Sequence, residues 1–382
     1  MRKIRMGMIG GGRGAFIGAV HRMAAALDGQ IDLVCGAFSS SAEKSKLSGE
    51  DLYLDPSRVY GSYKEMIIEE KNLPEDIRMD FVSIVTPNHM HFAPAVMAIE
   101  NGFHVVADKP LCFNMEEAYA LEKVVKDSGL IFALTHNYTG YPMVKQAKAM
   151  FRKGDFGKIR KVVVEYPQGW LSTLLEASDQ KQAAWRTDPK KSGIAGAMGD
   201  IGTHAENLAE YMTGLKISEI CADISILVEG RLLDDDGNVL LRFENGAKGI
   251  LYASQISAGE ENNLRIKVYG EKGGVEWAQM HPNSLIVRWN DKSTQILRTG
   301  VGDLSPEAQA HTRIPAGHPE GYLEAFGNIY RNVARCIQAR IAGTAVDPLY
   351  TDFPTVEDGV RGMNFIYKVI ESGKSEQKWI KL

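Results

Sequence analysis

Short apolar runs alternate with amphipathic stretches through the first third of the chain. Ile4 to Ile9 is apolar and ends in the run Gly10-Gly11-Gly12-Arg13-Gly14-Ala15. From Phe16 to Leu27, apolar residues recur at helical spacing (Phe16, Ile17, Val20, Met23, Ala24, Leu27), and the pattern stops at Asp28-Gly29. This predicts a strand, a glycine turn and a helix. Further strands are predicted over Ile31 to Ala37, Asp80 to Val85, His104 to Ala107 and Leu130 to Thr135. Helices are predicted over Tyr63 to Glu70, His91 to Asn101 and Met115 to Asp127, the last two closed by Gly102 and Gly129. Strands alternating with helices imply an α/β fold with a parallel, doubly wound sheet, whose ligand lies at the carboxyl ends of the strands.

After about Tyr138 the pattern changes. A helix from Met143 to Lys153 leads to a strand at Ile159 to Tyr166. Strands then follow closely at Glu219 to Val228, Val239 to Glu244, Lys248 to Gln255 and Leu264 to Tyr269, with short ones near Val275 and Leu285. Turns such as Asp236-Gly237, Glu244-Asn245-Gly246 and Lys272-Gly273-Gly274 separate several of them, as hairpins require. This predicts a mostly antiparallel sheet, with helices at Gly199 to Met212 and Glu320 to Ala342. The division is therefore 1–138 and 139–382. The acidic run Asp234-Asp235-Asp236 reads as an exposed hairpin tip, because Gly237 comes too early for a calcium loop.

Composition narrows the classes. A length of 382 residues suggests about two domains at ~150 residues each. Hydrophobic residues make up 44% and charged residues 24%, as in ordinary globular proteins. The net charge of -4, with no basic stripe, argues against nucleic acid and against an anionic membrane surface. No apolar run reaches the ~20 residues of a membrane helix. Cys35, Cys112, Cys221 and Cys336 are far apart and form no CxxC pair, so they read as free thiols of a cytoplasmic protein without structural zinc.

The glycine turn has a specific chemistry. Gly10 permits the turn, Gly12 lets backbone approach a pyrophosphate, and small Ala15 lets helix and strand pack closely. The helix N-terminus adds free N–H groups and a positive dipole end. Two later elements could carry a reaction. Lys109, between a buried strand and Pro110, can hold a hydroxyl and stabilise a developing alkoxide. Asp200 and His204 lie four apart on a predicted helix and so share a face. The carboxylate would orient the imidazole, which titrates near pH ~6.5 and can take and return a proton. Trp170, Trp185 and Arg186 have the faces and guanidinium of a sugar pocket, and Asn137 and Tyr138 sit at a strand end. The alternatives are a helix cap for Asp200, a polar helix-face histidine for His204 and a surface position for Lys109.

Taken in order, the glycine turn, Thr86-Pro87-Asn88-His89-x-His91, Asp108-Lys109-Pro110, Trp185-Arg186 and Asp200-x-Gly-x-His204 resemble the Gfo/Idh/MocA oxidoreductases over essentially the whole chain. The resemblance implies an N-terminal Rossmann domain, a C-terminal α+β domain that associates through its open sheet into dimers or tetramers, and an NAD(P)-dependent oxidoreductase acting on a sugar, sugar derivative or cyclic polyol. It implies Lys109 and His204 as catalytic, with Asp200 assisting. The substrate-contacting set is then Lys109, Tyr138, Trp185, Arg186, Asp200 and His204. The cofactor set is Gly10, Gly12, Arg13, Ala15, Ser39, Lys44, Thr86, Pro87, Asn88, His91 and Lys109. No metal is expected. Two departures stand out. Asp108 replaces the family's usual glutamate. The second strand ends in Phe38-Ser39-Ser40-Ser41 with Lys44 beyond, where an NAD-preferring fold places an acid on the ribose hydroxyls. Hydroxyls and a cation suit a 2′-phosphate, so the balance tilts slightly from NAD to NADP, unless Ser40 or Ser41 merely caps the next helix. Two further readings share the fold: a glycosidase working by transient oxidation and elimination, and a non-catalytic sugar- or cofactor-sensing regulator.

Overall fold

The computed structural model describes residues 2–178 and 180–382. They form two compact units, Met1–Asn137 with Tyr322–Val360, and Tyr138–Gly321 with Arg361–Leu382.

The first unit holds the parallel sheet. Strands β1 (Ile4–Gly10), β2 (Ile31–Ala37), β3 (Phe81–Val85), β4 (His104–Ala107) and β5 (Phe132–Leu134) lie in the order β2-β1-β3-β4-β5, and every pairing is parallel. The helices between them are α1 (Phe16–Ala26), α2 (Ala42–Asp51), α3 (Tyr63–Asn72), α4 (Phe92–Glu100) and α5 (Met115–Ser128). The apolar pattern does not announce α2, whose apolar residues are few; Ser41 caps it by accepting the Lys44 N–H. The order of strands reverses between β1 and β3, the crevice where such sheets bind ligands.

The other helices are α6 (Pro142–Lys153), α7 (Lys181–Arg186), α8 (Pro189–Ser192), α9 (Thr203–Thr213), α10 (Pro306–Ala310), α11 (Tyr322–Ala342) and α12 (Val356–Lys374). Chain order places α11 with the C-terminal domain, but it packs with the first unit. Its apolar face (Phe326, Ile329, Tyr330, Val333, Ala334, Ile337) joins Ile4, Met6, Met8 and Val20 in one buried core. Burial of such a face decides partnership, and each fully buried large apolar side chain contributes roughly 1.5–3 kcal/mol.

The second unit is built on nine strands: β6 (Lys161–Pro167), β7 (Ile217–Ser225), β8 (Asp236–Phe243), β9 (Lys248–Ser254), β10 (Arg265–Tyr269), β11 (Gly273–Ala278), β12 (Ser284–Trp289), β13 (Gln295–Arg298) and β14 (Trp379–Lys381). They run in the order β13-β12-β11-β10-β6-β9-β8-β7-β14. Only β6 and β9 pair in parallel. Asp236-Gly237 is not a turn: both residues pair with β7 inside β8. Asp234 and Asp235 are not exposed either. Asp234 is 6% and Asp235 1% exposed, because their carboxylates accept backbone N–H groups from distant segments. Among the described residues, no helix is long and apolar enough to cross a membrane.

Buried histidines give the first unit a pH dependence. The Ile131 N–H donates to Nδ1 of His104 at 2.9 Å, which requires that nitrogen to be unprotonated. Burial pushes His104 down to about 4, with Arg340 adding to it and Asp80 opposing. The unfolded chain binds that proton near pH ~6.5. Stability is therefore complete above that pH and falls as pH drops towards about 4, by about 3 kcal/mol for this group. Replacing His104 with Asn, which can still accept the Ile131 N–H, should flatten that fall in urea unfolding between about pH 7 and about pH 4.5.

Candidate active site

In the first unit the glycine turn leaves β1 with Gly10 and Gly11 at φ +83° and +71°. A Cβ on Gly10 would lie 2.9 Å from Thr86 Cγ2 and from the Val85 carbonyl oxygen, and one on Gly12 would lie 2.7 Å from Ser48 Oγ and 2.8 Å from the Phe38 oxygen. The turn thus packs against the ends of β3 and β2 with backbone alone. Ser48, which the sequence reading missed, accepts the Arg13 N–H at 3.1 Å and donates to the Lys44 carbonyl at 2.8 Å. The close approach assigned to Ala15 belongs to Gly18, where a Cβ would meet Gly11 Cα at 2.3 Å. Ala15 is instead the N-cap of α1, with no side-chain cap and no acid in the first turn. An uncapped N-terminus behind a turn whose Gly10, Gly11 and Gly12 admit no side chains fits a pyrophosphate.

Around the turn, Arg13 forms an ion pair with Asp51 in which both side chains are about half exposed. Ser39 Oγ accepts the Ser41 N–H and Ser41 caps α2, while Lys44 is exposed. Thr86 donates its hydroxyl to the Met90 carbonyl. Pro87 is half-buried and Asn88 buried. His91 is buried with Nδ1 2.7 Å from the Pro110 oxygen and Nε2 2.8 Å from the Thr86 oxygen. Its ring therefore links the turn after β3 to the turn after β4. Burial holds it below the ordinary histidine range.

Lys109 is half-buried, and its peptide bond to Pro110 is cis. Asp108 Oδ1 accepts the Lys109 N–H and the Thr135 hydroxyl, each at 2.9 Å, and His21 Nε2 lies 3.9 Å away. Burial would raise this carboxyl, but His21, Lys109 and His91 outweigh it and hold it well below the usual carboxylate range. His136 is also buried. Burial first, and Lys109 second, push it down to about 3, so it is a neutral neighbour of the lysine. Its place at the end of β5 is the signal that could have found it.

In the second unit Asp200 lies in a π-helical turn, Met198–Gly202, that leads into α9, with His204 in the first turn of that helix. Asp200 Oδ2 accepts from Gln255 Nε2 at 2.8 Å and faces Arg186 Nε at 3.5 Å. The guanidinium stacks on Trp185, 4.4 Å from its ring centre, with Trp170 at 6.0 Å. His204 packs edge-on to Tyr138 at 4.9 Å and beside Tyr166 at 6.3 Å. Burial pushes the Tyr138 phenol up to about 12. The Tyr138 and Tyr166 hydroxyls bond each other. Asn262 accepts from Tyr166 at 2.7 Å and from Gln168 at 2.5 Å, and Gln168 accepts the Trp170 indole N–H at 3.0 Å. Tyr166, Gln168, Gln255 and Asn262 were not legible as site residues, because they come from strands and loops far apart in sequence.

Comparison with known proteins gives a consistent picture. Residues 4–136 match the oxidoreductase family with an NAD-binding Rossmann fold, and residues 144–276 match the GFO/IDH/MocA C-terminal domain. The oxidoreductase YfiI of Bacillus subtilis (strain 168) is 32% identical, over 99% of this chain and 97% of that protein. An oxidoreductase from Sinorhizobium meliloti has a crystal structure with TM-score 0.90 and 45% identity, covering 100% of both chains. An inositol dehydrogenase homolog from Azotobacter vinelandii, complexed with NADH and myo-inositol, has TM-score 0.91 and 33% identity, covering 100% of this chain and 98% of its own.

Proposed function

The chain belongs to the Gfo/Idh/MocA oxidoreductase family, and from that premise we propose that it is an NAD(P)-linked dehydrogenase of a sugar, sugar derivative or cyclic polyol. Lys109 holds the reacting oxygen and stabilises negative charge on it. His204 takes the hydroxyl proton in oxidation and returns it in reduction, and Asp200 orients His204. A nicotinamide dinucleotide on the glycine turn supplies the two-electron acceptor. The observation that carries this reading is the wall around Asp200 and His204. Half-buried Trp170 would meet C–H surfaces and half-buried Gln168 and Asn262 would meet hydroxyls, while buried Tyr138 and Gln255 hold His204 and Asp200.

For the cofactor, residues 38–41 bring no carboxylate to the adenosine ribose, and Arg13 and Lys44 are cations beside it in sequence. The Arg13–Asp51 pair is exposed on both sides, so it holds Arg13 only weakly and yields to a phosphate. Ser41 is taken up in capping α2, so our slight preference for NADP over NAD rests on Arg13, Lys44 and the lack of an acid over residues 38–41. A panel of inositols and monosaccharides, followed by reduced-nicotinamide absorbance with each nucleotide, tests both points. Oxidation of at least one compound, with NADPH bound at least as tightly as NADH, is expected. No oxidation by either nucleotide would remove the dehydrogenase reading, and NADH bound at least about tenfold tighter (~1.4 kcal/mol) would remove the NADP preference.

A homo-oligomer built on the open sheet completes the proposal. Leu240 on β8 pairs with Ile250 on β9, and both point outward, 48% and 37% exposed. Light scattering should give a dimer or tetramer, and a monomer at micromolar concentration would contradict it.

A further inference from the structure

The buried acidic dipeptide before β8 grips the Asp200 segment from two directions. Asp234 takes three successive backbone N–H groups. Its carboxylate accepts Gly196 N–H at 2.6 Å and Met198 N–H at 2.7 Å, and its carbonyl accepts Ala197 N–H at 2.8 Å. The contact is tight enough to dictate the neighbours. A Cβ on Gly196 would lie 2.2 Å from the Asp234 carbonyl oxygen, a backbone atom with nowhere to go, and one on Gly237 would lie 2.5 Å from Met198 Sδ. The segment held this way continues directly into the π-helical turn that carries Asp200, whose own N–H donates to the Gly196 carbonyl at 2.8 Å.

Asp235 works on the other side. Its carboxylate accepts the N–H groups of Leu227 and Val228 at 2.8 and 2.9 Å, with Arg231 at 3.3 Å. Its carbonyl accepts the N–H of Gln255 at 2.9 Å, and the Gln255 amide is the group that donates to Asp200 Oδ2. One dipeptide therefore places both the backbone under Asp200 and the donor against its oxygen.

We propose that Asp234 is a positioning residue for the acid/base pair, setting the orientation of Asp200, and through it of His204, by clamping residues 196–198. This rests on the roles given to Asp200 and His204 under the proposed function. Burial pushes the Asp234 carboxyl up to about 6, and the N–H bonds from Met198 and Gly196 pull against that rise. An amide cannot replace the carboxylate: Asn keeps one acceptor and turns an NH2 group towards the second N–H.

The test uses D234N, and D234S as a variant that keeps a short acceptor. Three quantities are read: NADH and NADPH affinity by protein fluorescence, kcat and KM on whichever sugar the wild type oxidises, and the His204 titration by NMR of histidine-labelled protein, assigned with His204→Gln. The expected result is at least about a tenfold loss in kcat/KM at nearly unchanged nucleotide affinity, with the His204 midpoint moved by at least ~0.5 pH unit. A folded variant with an unmoved His204 titration and normal turnover overturns the proposal. So does a variant that only melts earlier, since that is a structural cap and nothing more. If the wild type oxidises no sugar, the proposed function fails, and the His204 titration still decides the role of Asp234. If neither variant folds, Gly237→Ala, whose Cβ would meet Met198 Sδ at 2.5 Å, disturbs the clamped segment instead and is read in the same way: a moved His204 midpoint with lower kcat/KM supports the proposal, and an unmoved one with normal turnover overturns it.

Discussion

Lys109→Ala and His204→Ala should each lower turnover by at least ~100-fold while nucleotide affinity is mostly retained. The two losses have different origins. Lys109 is a half-buried cation whose backbone is fixed by the Asp108 carboxylate and whose neighbour His136 is neutral. Removing it takes away the cation proposed to balance growing negative charge on the oxygen, and such groups act most strongly where water is excluded. Removing His204 leaves the hydroxyl proton without an acceptor of matched basicity. The glycine turn proposed to hold the dinucleotide is separate from both residues in sequence, so binding and turnover should part company. Fluorescence titration against steady-state rates measures the split. Near-normal turnover in both variants would remove the mechanism.

Gly18→Val should be the most damaging single change to dinucleotide binding. Even a Cβ at this position would sit 2.3 Å from Gly11 Cα and 2.5 Å from the Gly11 oxygen. Both are backbone atoms of the turn itself, so relief requires moving α1 away from the loop it supports. Overpacking of this kind costs roughly 1–3 kcal/mol of stability. The displaced N–H groups should weaken nucleotide binding by at least about tenfold, the loss of about one charge-assisted hydrogen bond. Gly14→Ala is the control. No atom lies within 4 Å of its Cβ, and only its φ of +74° opposes the change, a cost of ~1–2 kcal/mol. Calorimetric titration of the two variants should therefore separate them clearly. Equal affinities would place the close approach elsewhere.

These two cases also mark how far the chain could be read unaided. The strand Ile31–Ala37, the strand His104–Ala107 and the start of α5 at Met115 are local events. Their apolar runs, and the αL glycine at Gly129 that closes α5, lie within a few residues of what they specify. The glycine turn was legible for the same reason. Its tightest contact was not, because Gly18 stands one helical turn beyond the motif and only the three-dimensional packing against Gly11 reveals it.

Long-range burial accounts for the rest. The pattern of α11 shows an apolar face but not which core receives it, and that core is made of β1 and α1, some 300 residues earlier by the numbering. Composition predicts exposure for three consecutive aspartates. Asp234 and Asp235 are buried because backbone N–H groups from residues 196–198 and 227–228 meet them there. Lys109 in the first unit, and Asp200, His204, Tyr138 and Arg186 in the second, were all singled out from sequence. His136 was marked only by its place at a strand end, and Gln255 and Asn262 were not marked at all, since nothing in a single glutamine or asparagine distinguishes a site position from a surface one.

The central claim is that a carbon-bound hydrogen of the substrate passes to the nicotinamide. The most direct measurement is isotopic. A substrate from the panel, deuterated at its CH–OH carbons, is incubated with the protein and the oxidised nucleotide, and the products are analysed by mass spectrometry. The account predicts one deuterium in the reduced nicotinamide for each carbonyl formed, with both lost in Lys109→Ala. Reduced nucleotide carrying no deuterium, or a cleaved glycosidic bond with no reduced nucleotide released, would contradict it.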